Sequence, residues 1–202
     1  MSLFVTFEGG EGSGKSTQAR ALYRRLSRRG VPAVLTHEPG GTPLGRNLRR
    51  WLKNKEHIDP VTELLLFNAS RAHLVSRVVR PALDNGMIVI CDRFFHSTVA
   101  YQGYGRGLDL DLVERVNHVG TQGLRPDLTV FLDIAVQHGL ARKGPPDRFE
   151  REGNAFHQRV RDGYLRMASA DPERWLIVDG SLPRRQIARL VWDRVEPLLD
   201  PS

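Results

Sequence analysis

The sequence predicts an α/β fold in which one five-stranded parallel sheet carries helices on both faces. Three observations lead there. Five short apolar runs, Leu3–Glu8, Ala33–His37, Met87–Asp92, Leu128–Asp133 and Trp175–Asp179, are rich in Val, Ile, Leu or Phe without polar alternation. Such runs suit strands covered on both faces, whereas a half-exposed strand alternates. Helical patterns fill the intervals, notably Lys15–Arg29, Pro60–Asp84, Asp109–Gln122, Asn154–Ala170 and Pro183–Leu199. Strands alternating with helices build parallel crossover units. A glycine-rich segment joins the first strand to the first helix.

Asp59 followed by Pro60 reads as an N-cap and first-turn pair, which fixes the start of the second long helix. Ligands of such sheets bind beyond the carboxyl ends of the strands. Glu8, Glu38 and Asp92 fall at or just after those ends.

The 202 residues suit a single domain, 1–202, with a proper core. No repeat, low-complexity tract or Gly/Ser linker divides it. No stretch approaches the roughly 20 apolar residues of a membrane helix. Glu8 interrupts a short apolar run that has no basic leader, so no secretory signal is read and the cytoplasm is the expected compartment. Cys91 is the only cysteine, which rules out an internal disulfide and a thiolate cluster. It sits in an apolar strand, where a buried packing role is expected.

The formal charge of +7, carried mainly by arginine, suits a polyanionic partner such as nucleotide phosphates or nucleic acid. The arginines are spread along the chain. Arg24, Arg25, Arg28 and Arg29 lie at helical spacing and read as a solvated face, so charge alone does not name the partner.

The strongest motif is Gly9-Gly10-Glu11-Gly12-Ser13-Gly14-Lys15-Ser16, followed by Thr17. It fits the phosphate-binding P-loop pattern, with a strand before it and a helix after it. Glycines let successive backbone N–H groups turn inward around a phosphate, beside a helix N-terminus. Lys15 can reach the β- and γ-phosphates of ATP, and the Ser16 hydroxyl can ligate Mg²⁺. A strand-end carboxylate normally helps hold that metal. Asp92 is the first candidate, ahead of Glu8 and Glu38. The three-layer P-loop NTPase fold follows from loop and strand pattern together.

The rest of the sequence resembles bacterial thymidylate kinases from end to end. The likeness rests on Phe7-Glu8-Gly9 through Thr17-Gln18, Glu38-Pro39-Gly40-Gly41-Thr42-Pro43, Asp92-Arg93-Phe94 through Ser97, Ala100-Tyr101-Gln102-Gly103, and Asp147-Arg148-Phe149-Glu150. The resemblance implies phosphoryl transfer from ATP to thymidylate (dTMP), giving dTDP and ADP. It implies that Phe67 stacks on the thymine ring and that Arg71, four residues on and so on the same helix face, bonds its edge. It gives Arg93 and Arg49 the acceptor phosphate, which the planar guanidinium can grip with two bonds. Ser97, Tyr101 and Gln102 are expected to border the nucleoside. Gln102 would help read the base, and Tyr101 would crowd the place of a 2′-hydroxyl. Glu8 would contact the sugar 3′-hydroxyl or the metal region, and Glu38 also belongs to the substrate site.

An ionised phosphate acceptor needs no strong general base, so His96 is read as a bystander. Catalysis must come from alignment and from cations on the transferring group. Relatives that carry a P-loop arginine have it after the acidic residue, where this chain has Gly12. Basic residues of a lid at about 138–153 are then expected to serve, with Arg142, Lys143 and Arg148 as candidates. This lid is shorter and less arginine-rich than the commoner pattern. Lid closure would also exclude water. The family is generally dimeric, and apolar positions in Pro60–Asp84 and Asp109–Gln122 could serve a homodimer.

Two other readings stay in view. One is a kinase for another nucleoside monophosphate or a deoxynucleoside. The other is an NTP-driven nucleic-acid-binding protein. Against the latter stand the absence of a guanine-reading N-K-x-D, of a helicase motif set and of a second module, so no nucleic-acid partner is expected.

Overall fold

The computed structural model describes residues 2–53, 58–142 and 148–199. Strands β1 (Leu3–Glu8), β2 (Ala33–His37), β3 (Ile88–Asp92), β4 (Leu128–Asp133) and β5 (Trp175–Asp179) form one parallel sheet. Their order is β2-β3-β1-β4-β5. The chain leaves β1 for β2 and β3 on one side, then crosses to β4 and β5 on the other. The carboxyl end of β1 therefore faces a topological switch point, the place where such sheets take their ligands.

Side chains leave the strands with a period of two. Leu3, Val5, Phe7, Ile88, Ile90, Leu128, Val130 and Leu132 pack with Ala19, Leu22 and Leu26 of α1 (Lys15–Arg28) and with Ile187, Val191, Trp192 and Val195 of α9 (Arg184–Leu199). Phe4, Val89 and Cys91 face the opposite way, toward Leu74, Val75 and Val79. Phe131 meets Phe156, Val160 and Tyr164 of α8 (Asn154–Ala170). Every residue of β1 is buried, which is why the central strand shows no polar alternation. Cys91 is buried and free, and burial pushes its thiol well above the ordinary range.

The second long helix differs from expectation. It runs as α3 (Pro60–Leu74), widens into a π-helical turn at Val75–Val79, and resumes as α4 (Arg80–Asp84). Pro81 supplies the reason: it has no N–H to donate and its ring crowds the preceding turn, which the wider spacing accommodates. At its other end the Asp59 carboxylate accepts from Val61 N at 3.1 Å and Thr62 N at 2.9 Å, as the sequence implied. Strand β3 starts at Ile88 rather than Met87, after a turn through Gly86 at φ 71°.

Four further segments complete the frame around the sheet's carboxyl edge. They are α2 (Pro43–Lys53), α5 (Phe95–Thr98) with a π-helical continuation at Val99–Gly105, α6 (Leu110–Thr121) and α7 (Val136–Ala141). Among the described residues, no helix is long and apolar enough to cross a membrane.

Candidate active site

The loop after β1 folds back onto the amino end of α1. Gly9 has φ 144° and Gly12 φ 65°, conformations that favour glycine. A Cβ at Gly12 would lie 1.9 Å from the Gly139 carbonyl oxygen. Space and backbone thus both exclude a side chain at Gly12. Gly14, at φ 97°, receives the amides of Thr17 at 3.0 Å and Gln18 at 3.1 Å and so begins the helix. The N–H groups of the first turn have no partner within the helix, which suits them to an anion.

Lys15 is buried in this loop. Its ammonium donates to Gly9 O at 2.9 Å, Gly10 O at 2.6 Å and Ser13 Oγ at 3.2 Å. Burial, helped by the Arg93 charge, lowers its pKa to about 8 against the pull of Glu11, Asp92 and Glu8. One residue on, Ser16 Oγ donates directly to Asp92 Oδ2. A hydroxyl and a carboxylate meeting at one point are hard oxygen donors. They fit Mg²⁺, which takes one or two protein oxygens and completes its shell with phosphates and water. Among the described residues no larger cluster of His, Cys, Asp and Glu could hold a metal, and this ion does not need one.

Directly after Asp92 stands Arg93, whose φ of 71° is unusual for a side chain this large. The turn is held by Arg93 N donating to Phe7 O at 2.9 Å. Its guanidinium donates to Glu11 Oε1 at 2.8 Å, Ser97 Oγ at 3.1 Å, Tyr101 OH at 3.2 Å and Tyr164 OH at 3.5 Å. Glu8 lies beneath, fully buried, accepting from Phe94 N at 2.7 Å, Ser97 Oγ at 2.6 Å and Tyr164 OH at 2.9 Å. Burial raises the pKa of Glu8 despite those bonds.

One cleft of about 1030 Å³ brings Glu11 through Thr17, Asp92 and Arg93 together with Glu38, Arg49, Phe67, Ser97, Tyr101 and Gln102. Arg49 is steadied there by a 3.0 Å bond to Pro39 O. Gly9 and Gly10 meet this wall through their carbonyls on Lys15, and Glu8 through Ser97. Arg71 stands behind the wall, almost fully buried. Its Nε donates to Glu38 at 2.7 Å, and its other donors reach Asn68, Asn117, Thr98 and Phe94 O. Glu38 and Thr98 carry that network to the cleft surface. Burial pushes Glu38 up to about 7, with Arg71 opposing.

The lid candidates part company. Arg142 borders the cleft and donates to Gly180 O at 3.1 Å. Gly180 adjoins the phosphate loop, for a Cβ there would lie 3.4 Å from Ser13 O. Arg148 instead donates to Leu52 O at 3.0 Å and Glu63 Oε2 at 2.5 Å, and stacks over Phe149 at 4.5 Å. Lys143 and Asp147 lie outside the described residues. His96 touches neither Lys15 nor Arg93. It packs between Phe95 and Trp175, and burial lowers its pKa to about 3.

Tyr164 and Glu63 belong to the site and escaped the sequence reading. Phe156, Val160 and Tyr164 recur every four residues, as core does, and only the phenol hydroxyl hinted at more. Glu63 reads as an ordinary first-turn acid of α3.

A phosphate loop, a paired serine and aspartate, and an arginine bonded to that loop, all lining one nucleotide-sized cleft, define a P-loop nucleotide kinase. Within that class the chain belongs to the thymidylate kinase family, whose model matches residues 7–191. It is 57% identical to a thymidylate kinase of Dehalococcoides mccartyi, with 98% of each chain covered. It is 47% identical to a thymidylate kinase of Thermomicrobium roseum, over 98% of this chain and 97% of that one. The crystal structure of thymidylate kinase from Ehrlichia chaffeensis matches with a TM-score of 0.80 and 35% identity, over 98% of this chain and 99% of the other.

Proposed function

We infer that this chain transfers the γ-phosphoryl of ATP to dTMP, giving dTDP and ADP for dTTP synthesis. The observation that carries the reading is the placement of Lys15 and Arg93 in the wall of one cleft, each cation set among oxygen partners. In-line transfer asks for a donor phosphate on one side, an acceptor phosphate on the other, and little covalent help from the protein. The loop amides and Lys15 hold the donor phosphates. Arg93, with Arg49, orients the acceptor phosphate. Phe67, with its ring centre 5.9 Å from that of Phe149, offers a flat apolar surface to the base.

Ser16 and Asp92 would hold Mg²⁺. When bound, the ion would neutralise charge on the donor phosphates. Among the described residues of the lid, Arg142, beside the loop, is best placed for the transferring group. Arg148 would hold the lid against α3. The lid, about 138–153, is part of a single domain spanning 1–202, and its closure keeps water from the donor phosphate.

We expect a homodimer in the cytoplasm, where ATP and dTMP are met. Val61 and Leu65 on α3 and Val119 on α6 are exposed apolar residues that suit pairing of two copies. Sedimentation of Leu65→Arg as a monomer beside a dimeric parent would support that face, whereas identical sedimentation would exclude it.

The test of function is ADP formation from ATP and Mg²⁺ with dTMP, dUMP, UMP, dCMP, dGMP and dAMP as separate acceptors. The expected result is fastest turnover with dTMP. Activity confined to another monophosphate would keep the phosphate loop and discard the thymine site. No acceptor-dependent turnover would overturn the reading.

A further inference from the structure

Glu63 is fully buried at the start of α3 and is part of no phosphate site. Its Oε1 accepts from Gln102 Nε2 at 2.6 Å and from Arg106 Nε at 3.3 Å. Its Oε2 accepts from Arg148 Nη2 at 2.5 Å and from Arg106 Nη2 at 3.4 Å. One carboxylate thereby joins α3, the π-helical segment Val99–Gly105, and the end of the lid. Arg106 in turn is bonded to Glu152.

The bond to Gln102 has a consequence for recognition. A side-chain amide is nearly symmetric in shape, and its two ends differ only in hydrogen-bonding sense. A carboxylate facing two guanidinium groups only accepts. It therefore fixes which end of the Gln102 amide turns toward it, the NH₂, and turns the amide oxygen away from it; Gln102 itself borders the cleft. Reversing the amide would set oxygen against oxygen in a place from which water is excluded, since both side chains are almost wholly buried.

We propose that Glu63 is a positioning residue that sets the base preference of the acceptor site by holding the Gln102 amide with its oxygen toward the base. An acceptor presented there matches a pyrimidine whose N3 carries a hydrogen, as in thymine and uracil. It mismatches cytosine, whose N3 offers a lone pair. A site built to receive an N–H rejects a ring that lacks it, because a buried acceptor is left unpaired. The proposal rests on the reading of Gln102 as a residue that meets the base. The carboxylate that orients Gln102 also holds Arg148, so the same group ties the base site to the lid.

The test compares kcat/KM for dTMP, dUMP and dCMP in Glu63→Gln, whose amide can either donate or accept and so no longer dictates the Gln102 orientation. The preference for dTMP over dCMP is expected to fall by about tenfold or more, with the ratio of dTMP to dUMP unchanged. A residue needed only for folding would lower all three alike and leave both ratios as they were, and that outcome overturns the proposal. If Glu63→Gln does not fold, Glu63→Asp makes the same comparison, since it keeps a charge before Arg106 and Arg148 while withdrawing the carboxylate from Gln102. Gln102→Met separates the two levels. If it leaves the dTMP-to-dCMP ratio intact, Gln102 does not read the base and the proposal falls with that reading. If it lowers the ratio while both Glu63 variants keep it, Glu63 alone is excluded.

Discussion

Arg93 Nη2 lies 2.8 Å from Glu11 Oε1, so the arginine proposed to grip the acceptor is held by the phosphate loop itself. The same nitrogen bonds Tyr101, while Nη1 bonds Ser97 and reaches Tyr164. A guanidinium presents its N–H donors in one rigid planar fork, whereas an ammonium is a compact point charge. An anionic acceptor arriving in the cleft can replace the Glu11 carboxylate on that fork without disturbing the rest.

Arg93→Ala is therefore expected to lower kcat/KM for dTMP by roughly 100-fold or more, with the KM for ATP changed by no more than about fivefold. Arg93→Lys should recover little of the loss. Initial rates of ADP formation across a dTMP series at saturating ATP decide the matter. A lysine variant within about threefold of the parent would show that charge alone suffices.

Lys15 gives a pH dependence whose sign can be worked out. Burial lowers its pKa to about 8, so the free enzyme carries the ammonium below that pH and loses it above. Only the cation attracts the β- and γ-phosphates. The kcat/KM for ATP, which reports free-enzyme ionisations, should therefore fall as pH rises through about 8. Bound phosphates favour the ammonium, so the corresponding limb in kcat should lie at higher pH. A flat kcat/KM profile from pH 7 to 9.5 would contradict this placement.

Much of this arrangement was legible in the sequence because it depends on local pattern. The glycine spacing from Gly9 to Gly14 suits a turn with positive φ at Gly9, Gly12 and Gly14, and the apolar-rich run of β1 suits a covered strand. Asp59 and Pro60 fix a helix start without help from the rest of the chain. What stayed hidden depends on contacts between distant segments. Tyr164 shares the helical stripe of core residues Phe156 and Val160, yet its hydroxyl meets Glu8 across 156 positions. Arg71 has the spacing of a partner to Phe67, but its donors turn to Glu38 and Asn117 on other elements. The π-helical turn at Val75–Val79 was masked by an apolar pattern that reads equally well as α-helix.

Arg142 and Arg148 should separate in kinetics as they do in space. Arg142 borders the cleft beside the phosphate loop, whereas Arg148 is bonded to Leu52 O and Glu63. Arg142→Ala is expected to reduce kcat by about 10- to 100-fold with little change in the KM for dTMP, as for a group felt in the transition state. Arg148→Ala should act mainly on the KM for dTMP, because it removes one of the two guanidiniums that hold Glu63 and so loosens the acceptor wall. If both variants keep the parent kcat, the cation that meets the transferring group is supplied by another residue.

His96 tests whether proximity to the site implies a role in the chemistry. It lies three residues after Arg93, but its ring packs between Phe95 and Trp175, with ring centres 4.0 and 4.7 Å away. Burial, with the Arg125 charge adding, lowers its pKa to about 3 from 6.5. The ring is then neutral across the working range, and His96→Gln should keep most of the turnover. A thousandfold loss would return it to the mechanism. Its pKa makes a second claim, on stability. Between about pH 3 and 6.5 the unfolded chain binds a proton here that the folded chain does not, so stability rises with pH across that window. His96 therefore supports the fold fully above 6.5 and progressively less as the pH falls. Melting temperatures of the parent should drop more steeply from pH 6.5 to 4 than those of His96→Gln, which has no proton to gain. Parallel curves for the two proteins would mean that the imidazole reaches solvent and titrates as it does in the unfolded chain.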